Sequence, residues 1–487
     1  MSDEKEKKSS LKVNFLFNTS YQILAIIIPL ITTPYLTRIL GAETIGVFSF
    51  ANTVAYYFVM FAMLGVTNYG NRSIAIVRDN PKELSVKFLE IFSLQVFTSV
   101  LCTIIYLIYI VFWSDDRLIS VIFLMYVLSA GFDVNWFFFG LEKFKITTAR
   151  NTFVKLFTVI LIFVLVKSKT DVYKYAFIYS AGILISQIIM WFSLKKYISF
   201  EKITIKGIVS HIKPNLVLFI PVIAVSLYKY MDKIMLGVMA SKTEVGYYES
   251  SDKMILVPSV LINSLGMVML PRISNLIAND QSDTSVSYLE KSIRFESFLA
   301  SSMGFGIMGV ATVFVPLYYG DGFDKCIKLF YILLPSCLFV GFANVLRTQF
   351  MIPNHMDIAY TVSVLSGTVI NLVFNYLLIP RYASLGAAYA TLLAEIIVCM
   401  LHCIFVWKKL PVMKYVKMTI PAIISGVIMF FALYYIDITF IASNLLILII
   451  KTLIGVFVYI FIYALFYAKS IKPFIVSIKN RCNKEDK

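Results

Sequence analysis

The sequence predicts an all-α membrane protein that crosses the bilayer about fourteen times. Of its 487 residues, 59% are hydrophobic and only 15% are charged, whereas a soluble domain carries about 25% charged residues. The apolar residues form blocks of roughly 20, the length that a membrane-spanning helix needs, without the alternation of barrel strands. These observations exclude an ordinary soluble enzyme and also a disordered chain, which needs few apolar residues and a high charge density.

The apolar blocks are separated by short connections that leave no room for an extramembrane catalytic domain. The N-terminal tail is polar and no cleavage site follows the first block, so that block is expected to be a retained helix and not a signal peptide. The fourteen expected spans are 14–40, 45–69, 88–112, 118–140, 147–167, 173–194, 214–239, 245–277, 292–318, 326–352, 357–379, 385–407, 415–436 and 443–467.

The positive charges set the expected orientation. Of the 44 Lys and Arg residues, 30 fall in segments on the side of both termini and 9 on the opposite side. Because cytoplasmic loops carry the excess of Lys and Arg, both termini are predicted to be cytoplasmic. The predicted order is a tail over 1–13, an N-lobe of six spans over 14–198, a cytoplasmic interfacial linker over 199–213, a C-lobe of six spans over 214–407, two further spans over 408–468 and a tail over 469–487.

An internal repeat is visible at the openings of the two predicted lobes. Each copy has an early proline, a Leu-Gly pair that is predicted to end the span, and a Gly-aromatic start of the next helix. Repeats of this kind are typical of secondary transporters, whose substrate site lies between the repeats. The two copies are Pro29, Leu40-Gly41 and Gly46-Val47-Phe48, and then Pro221, Leu236-Gly237 and Gly246-Tyr247-Tyr248.

Neither a catalytic nor a metal site is predicted, and no cofactor is expected. The sequence contains no His-Glu-x-x-His, phosphate loop, Gly-x-Ser-x-Gly or Cys-x-x-Cys motif, which argues against an enzyme and against an ATP-driven pump. Cys399, His402 and Cys403 fall on one helix flank, but nothing supplies the other ligands of a zinc site. The net charge of +16 is interpreted as membrane topology and not as nucleic-acid binding.

Charged residues inside the spans are the candidate functional residues. Each costs roughly 2.5–3.5 kcal/mol at mid-membrane, and such residues usually face a cavity or the helix bundle. Lys229 and Lys233 are four residues apart, so they share a helix face, and Asp232 compensates only one of them. The pair therefore suits an anion such as phosphate. The other charges of this kind are Arg38, Asp133, Glu249, Asp252, Lys253, Arg347, Glu395 and Lys451.

A purely structural interpretation of these charges also remains open. Glu249 and Lys253 are also four residues apart and could form a neutral pair that only holds helices together. Glu395 and Lys451 are isolated, so lateral packing or snorkelling is expected for them. Most of the 41 Phe and 30 Tyr residues are expected to face lipid or the membrane interface.

Short motifs occur in a fixed order from residue 18 to residue 395. They are Asn18-x-x-Tyr21-Gln22, Pro29 to Gly41 with Pro34, Tyr35 and Arg38, Tyr69-Gly70-Asn71-Arg72, Asp232 to Gly237, Val245 to Glu249, Leu270-Pro271-Arg272, Gln349 to Pro353, Asn371-x-x-x-Asn375 and Leu385-Gly386 to Glu395. This ordered set resembles the motifs of bacterial polysaccharide (Wzx-type) flippases, whereas the last two spans match that family only as generic apolar helices.

The resemblance implies the fold of the multidrug/oligosaccharidyl-lipid/polysaccharide exporter superfamily, with two pseudo-symmetric six-helix lobes and two appended C-terminal helices. It implies that the protein flips a polyprenyl-diphosphate-linked oligosaccharide across the bacterial plasma membrane, for capsule, O-antigen, exopolysaccharide or a teichoic-type polymer. It further implies alternating access, a coupling cation (Na+ or H+), and a polysaccharide polymerase and glycosyltransferases as partners.

On this interpretation a wet cationic cavity holds the diphosphate while the polyprenyl tail stays in the surrounding membrane lipids. The expected anion contacts are Arg38, Lys229, Lys233, Lys253 and Arg347. The residues expected to take a coupling cation or to balance the charge of the cavity are Asp232, Glu249 and Asp252.

Three alternatives remain. A peptidoglycan lipid flippase shares the fourteen spans and a cationic cavity. A multidrug exporter of the same superfamily would need an acidic, aromatic cavity for cationic drugs, which the excess of Lys and Arg within spans disfavours. A polysaccharide polymerase or ligase would need a large outer loop, and the outer connections of this chain are short.

Overall fold

The computed structural model is a succession of long helices. It describes the backbone of residues 2–438 and 443–485, and the side chains of residues 24, 27–281, 283–438 and 443–466. Those backbone ranges contain no strand. Thirteen helices within the described residues are long and apolar enough to cross a membrane. The predicted all-α, multi-pass membrane fold is therefore confirmed.

The chain divides into two compact units, 1–249 and 250–487. The division falls inside α10 (Lys242–Ala278), which opens in the first unit. The other helices of the first unit are α1 (Ser2–Met63), α2 (Val66–Val77), α3 (Pro81–Phe112), α4 (Arg117–Phe132), α5 (Asn135–Gly140), α6 (Phe144–Leu165), α7 (Val172–Leu194), α8 (Ile205–Ser210) and α9 (Ile212–Met239), with a 3-10 turn at Lys169–Asp171.

The first candidate span, Ile27–Val77, is 51 residues long. At 1.5 Å per residue it is more than twice as long as the hydrocarbon core is thick. It contains a break at Gly41, whose φ of 75° and ψ of 171° belong to a backbone conformation that glycine adopts more readily than other residues. The helix break predicted at Leu40-Gly41 is confirmed, and it explains why thirteen candidate helices correspond to fourteen expected spans.

In the second copy of the repeat the helix ends at Met239, the last residue of the span expected over 214–239. Helix α9 continues past Leu236-Gly237 to Met239. The helix ends at Ala240, whose φ of −130° and ψ of −104° are not helical. The Leu-Gly pair therefore marks the last turn of α9, and the break follows it.

The core of the first unit lies where α2, α3, α5 and α7 meet. Trp136, Phe137 and Phe138 of α5 are completely buried there, and Phe88 of α3 stacks on Trp136 with ring centroids 5.5 Å apart. Aromatic rings bury a large apolar area with few rotatable bonds. The packing of these side chains therefore stabilises α5, which is too short to be stable by its own main-chain hydrogen bonds.

The predicted linker over 199–213 contains α8 and is attached to the first unit by His211. The imidazole of His211 is 1% exposed. Its Nδ1 lies 2.7 Å from the Tyr69 hydroxyl, and its Nε2 lies 3.0 Å from Glu90 Oε2. A buried imidazole with a partner on each nitrogen has a fixed orientation, so His211 fixes the start of α9 against α2 and α3.

The second unit is built around α11, which packs against α13, α16 and α17. Helices α14 and α15 pack side by side, and α15 also contacts α12 and α13. The helices of this unit after α10 are α11 (Ser282–Tyr319), α12 (Lys325–Leu333), α13 (Ser336–Leu346), a π-helical turn at Arg347–Met351, α14 (Asp357–Tyr382), α15 (Ser384–Val406), α16 (Val412–Tyr435) and α17 (Asn444–Glu485).

Two glycines at equivalent positions of the repeat pack against each other in the first unit. A Cβ at Gly46 would overlap the main-chain oxygen of Lys242, and a Cβ at Gly246 would overlap the main-chain oxygen of Ala42. Each glycine therefore contacts the residue four positions before the other glycine. Helix main chains can approach this closely only where a side chain is missing, as in membrane helix pairs of small residues.

We expect Gly46→Ala and Gly246→Ala each to destabilise the protein by about 1–3 kcal/mol, because the added methyl group has to displace main-chain atoms. The change is measured as the shift in the midpoint of thermal unfolding in detergent. Gly131→Ala is the matched control, since its Cβ would lie 3.5 Å from the nearest atom, Ser99 Cβ. Unfolding of both test variants at or above the temperature of the unsubstituted protein would refute the close approach.

Candidate functional site

A buried lysine of the first unit is the centre of a polar network between three helices. Lys233 of α9 is 7% exposed, and its Nζ lies 2.6 Å from Oε2 of Glu249 in α10. The same oxygen accepts a hydrogen bond from Ser49 Oγ of α1 at 3.0 Å. A buried ion pair is tolerated only when it has good geometry and further hydrogen bonds, and this network supplies both.

The neighbouring acid, Asp232, has its own partner. Tyr248 donates a hydrogen bond from its hydroxyl to Asp232 Oδ2 at 2.6 Å, and both residues are almost fully buried. Two consecutive residues of α9 thus contact two consecutive residues of α10. This double connection fixes the register of α9 against α10 where the ion pair forms.

Tyrosine rings lie beside the network. The Lys233 ammonium is 5.6 Å from the centroid of the Tyr230 ring, a distance at which a cation is attracted to an aromatic face. The ring of Tyr230 contacts that of Tyr56 of α1, with centroids 4.5 Å apart. Tyr57 donates a hydrogen bond to the main-chain oxygen of Ser226 at 3.1 Å. The two consecutive tyrosines of α1 therefore both contact α9.

The structure gives the two predicted lysines of α9 different surroundings. Lys229 lies one turn before Lys233 and is exposed, whereas Lys233 is buried against Glu249. Arg38 of α1, another predicted anion contact, is also exposed. A joint role of these residues in binding an anion stays a prediction.

The remaining predicted site residues belong to the second unit, where all are half-buried: Asp252, Lys253 and Arg347. Arg347 opens the π-helical turn and donates a hydrogen bond to Asn344 Oδ1 at 2.5 Å. Its guanidinium lies 5.6 Å from the centroid of the Tyr360 ring. Short π-helical turns are frequent at functional sites, which supports Arg347 as a candidate binding residue.

Arg150 is a buried cation that was not among the candidate charges, although it falls in the span expected over 147–167. It lies in α6 and is 8% exposed. Its guanidinium donates hydrogen bonds to the main-chain oxygen of Ser186 and to Asn135 Oδ1, each at 2.6 Å. The sequence feature that could have indicated a buried partner such as Arg150 is the polar pair Asp133 and Asn135 within an apolar block, because such a pair needs buried hydrogen-bond partners.

Two further charges are buried in the second unit. Glu296 of α11 is 1% exposed; it was not among the predicted site residues, because it lies near one end of the expected span 292–318. Lys451 of α17 is 5% exposed, and its Nζ donates to the main-chain oxygen of Leu433 at 3.1 Å. Of the two interpretations given for Lys451, packing against a neighbouring helix agrees with this contact.

Within the side chains that the structure describes, no three His, Cys, Asp or Glu residues are placed to hold a metal ion. Cys399 and Cys403 are joined by a hydrogen bond between their thiols. His402 is 2% exposed, and its ring centroid is 6.1 Å from that of Tyr360. These three residues pack in the interior of the second unit.

Comparison with known proteins establishes the family. The model of a family described as polysaccharide biosynthesis protein matches residues 11–277. The chain belongs to the polysaccharide biosynthesis protein family. The resemblance noted in the sequence is thereby confirmed. A relative from Escherichia coli (strain K12) named "Putative O-antigen transporter" is 24% identical over 408 residues, which cover 82% of this chain and 97% of the relative.

Solved structures show the fold of this family member. A structure titled "Lipid II flippase MurJ, inward closed conformation" matches with a TM-score of 0.74 and 18% identity, over 94% of this chain and all of that one. An inward-facing multidrug resistance MATE family transporter of the MOP superfamily matches with a TM-score of 0.56 and 12% identity, over 81% of this chain and 98% of the other. The predicted superfamily fold is confirmed.

We expect Lys233→Met to destabilise the protein by about 3–5 kcal/mol, because it leaves the Glu249 carboxylate buried without its cation. Adding Glu249→Met should recover most of this loss, since both charges are then removed together. A double-mutant cycle on thermal unfolding in detergent measures the coupling.

Lys229→Met is the matched control for this cycle. It removes the same side chain one turn earlier on α9, where the lysine is exposed, so it should change the free energy of unfolding by less than about 0.5 kcal/mol. Equal losses for the two single lysine variants would contradict a specific buried pair.

Proposed function

We propose that this protein is a flippase that moves polyprenyl-diphosphate-linked oligosaccharide repeat units from the cytoplasmic to the outer leaflet of the bacterial plasma membrane. The cargo serves the assembly of capsule, O-antigen, exopolysaccharide or a teichoic-type polymer. Family membership supports this proposal, as do the full-length relationship to the Escherichia coli protein and the fold shared with a lipid II flippase.

The observation that carries the proposal is the buried Lys233 ammonium. A diphosphate is too polar for hydrocarbon and needs cationic partners on its way across. Lys233 is held inside the first unit by Glu249 at 2.6 Å, and a phosphate oxygen is the same kind of partner as a carboxylate oxygen. In the proposed cycle the diphosphate replaces Glu249 at Lys233, and Arg38, Lys229, Lys253 and Arg347 are further anion contacts.

The tyrosines beside Lys233 suit the sugar part of the cargo. Tyr56, Tyr57 and Tyr230 combine an apolar ring with a polar hydroxyl, which can stack on a sugar and also bond its hydroxyl groups. The excess of basic over acidic candidate residues favours an anionic cargo over the cationic drugs of a multidrug exporter. Lipid II, the cargo named for the flippase that shares this fold, is itself lipid-linked, as is the cargo proposed here.

Alternating access with ion coupling is the proposed mechanism. Release of Glu249 from Lys233 leaves a carboxylate that takes a proton or Na+, and Asp232 and Asp252 are the other acids assigned to coupling or charge balance. The protein uses no catalytic residue of its own in this scheme. Both termini are placed in the cytoplasm, where the glycosyltransferases deliver the cargo, and a polymerase receives it at the outer face.

We expect Lys229→Gln with Lys233→Gln to abolish polymer export, because the cargo loses two cationic contacts. The same loss is expected when Glu249→Gln is added, which avoids leaving a buried carboxylate without its partner. Lys408→Gln with Lys409→Gln is the control, since it removes two exposed positive charges outside the proposed site. Immunoblots of membrane fractions verify insertion of every variant.

The readout is the lipid-linked oligosaccharide in protoplasts of a strain that lacks the gene and carries each variant. Loss of flipping leaves this lipid shielded from a membrane-impermeant oxidant, and mass spectrometry identifies its sugars. Normal polymer export by the Lys229/Lys233 variants would refute the assignment of these lysines to the cargo site. Accumulation on the outer face would point to a defect in polymerisation, and no accumulation without the protein would refute the proposed cargo.

A further inference from the structure

Glu296 is a carboxyl group in the interior of the second unit that has no strong partner among the described residues. Its side chain lies on α11 and is 1% exposed. Oε2 is 3.5 Å from the Ser297 hydroxyl, at the limit of a hydrogen bond. Oε1 is buried and accepts no hydrogen bond from any side chain or main chain that the structure describes. This arrangement differs from that of Glu249, which has a lysine and a serine on one oxygen.

The neighbouring helix has a glycine where it contacts this carboxyl group. A Cβ at Gly341 of α13 would overlap Oε1 and Cδ of Glu296. The main chain of α13 therefore packs directly on the carboxyl group, where any other residue would push it away. Packing of this kind leaves no room for the water shell that an ionised carboxylate needs.

Among the side chains that the structure describes, the titratable groups near Glu296 on α13, α15 and α17 are not cations. Cys337 of α13 lies within electrostatic range of both Glu296 and Glu395, and Cys399 of α15 and Tyr459 of α17 lie within range of Glu296. All of these groups are neutral or negative. From α16, Lys414 binds Glu290 at 2.5 Å, nearly two turns earlier on α11. The side chains around Glu296 therefore disfavour its negative charge.

An apolar cavity lies beside the residue that follows Glu296. Ser297 and Cys399 line this cavity of about 420 Å³, whose other lining residues are mostly apolar, among them Phe342, Trp407 and Ile423. An apolar lining offers a water molecule few hydrogen-bond partners. The cavity nevertheless provides space through which water can reach a neighbouring group when the helices rearrange.

We propose that Glu296 is a proton-binding site of the transport cycle, protonated while it is packed against Gly341 and deprotonated when the second unit rearranges and admits water. Ionisable residues within membrane spans commonly act as proton relays. A sodium ion fits the site poorly, because Na+ needs several oxygen ligands, whereas among the described residues the Ser297 hydroxyl is the one group that donates a hydrogen bond to the carboxyl group. The coupling role rests on the proposed function, whereas proton binding itself does not.

The first test uses the full-length protein in lipid nanodiscs without any cargo. Infrared difference spectroscopy during a pH titration detects the C=O stretch of a protonated carboxylic acid. We expect this band in the unsubstituted protein at neutral pH, its loss at alkaline pH, and its absence from Glu296→Gln. The substituted amide has nearly the shape of the protonated acid, so this variant should fold.

Glu290→Gln is the matched control on the same helix. Glu290 is ion-paired with Lys414, so its carboxylate contributes no such band and its replacement should leave the band unchanged. A spectrum that is identical in the unsubstituted protein and in Glu296→Gln would overturn the proposal. A band that disappears in Glu290→Gln would do the same.

The second test measures coupling in proteoliposomes with a polyprenyl diphosphate that carries one fluorescent sugar. An imposed pH gradient should accelerate its flipping by the unsubstituted protein and by Glu290→Gln, and this acceleration should be lost in Glu296→Gln. Equal acceleration in Glu296→Gln would overturn the coupling role. An infrared band that behaves as expected in a protein that does not flip this probe would support the proton site and count against the proposed cargo.

Discussion

A helix in hydrocarbon has to satisfy its main-chain polar groups within the protein, and most of this structure follows from that constraint. The end of α4 shows how a break is accommodated. Gln95 of α3 donates hydrogen bonds to the main-chain oxygens of Ala130 and Asp133 at 2.6 and 2.8 Å. The Asp133 carboxylate accepts a hydrogen bond from the Asn135 main-chain N–H at 2.8 Å. Side chains replace the main-chain partners that the break removes, and α5 can begin inside the first unit.

The buried cations obey the same constraint by different means. Lys451 donates to the main-chain oxygen of Leu433 in a neighbouring helix, which supplies an acceptor but no opposite charge. Lys233 has a full carboxylate in Glu249. Only the second arrangement is easily exchanged, because one anion can replace another without leaving the ammonium alone. This difference separates Lys233, the proposed cargo contact, from cations that hold helices together.

The sequence was sufficient to predict the helical fold and the break at Gly41, because each depends on composition or on neighbours in the chain. It was not sufficient to separate Lys233 from Lys229, since four-residue spacing places both on one face and only the packed helices decide which is buried. Glu296 was missed for a related reason. Its isolation depends on Gly341 and on helices more than 40 residues away in the sequence, which no local pattern reveals.

The repeat explains why the ion pair of the first unit has its particular composition. Gly46 and Gly246 pack against each other, and the residues three positions later, Ser49 and Glu249, also meet, at 3.0 Å. Two such positions that pack against each other cannot both carry a carboxylate without repulsion. One copy therefore has a hydroxyl group that donates to the acid of the other, and Lys233 neutralises that acid. The two glycines allow the helices to approach, and the difference between the copies at this single pair creates the charged site.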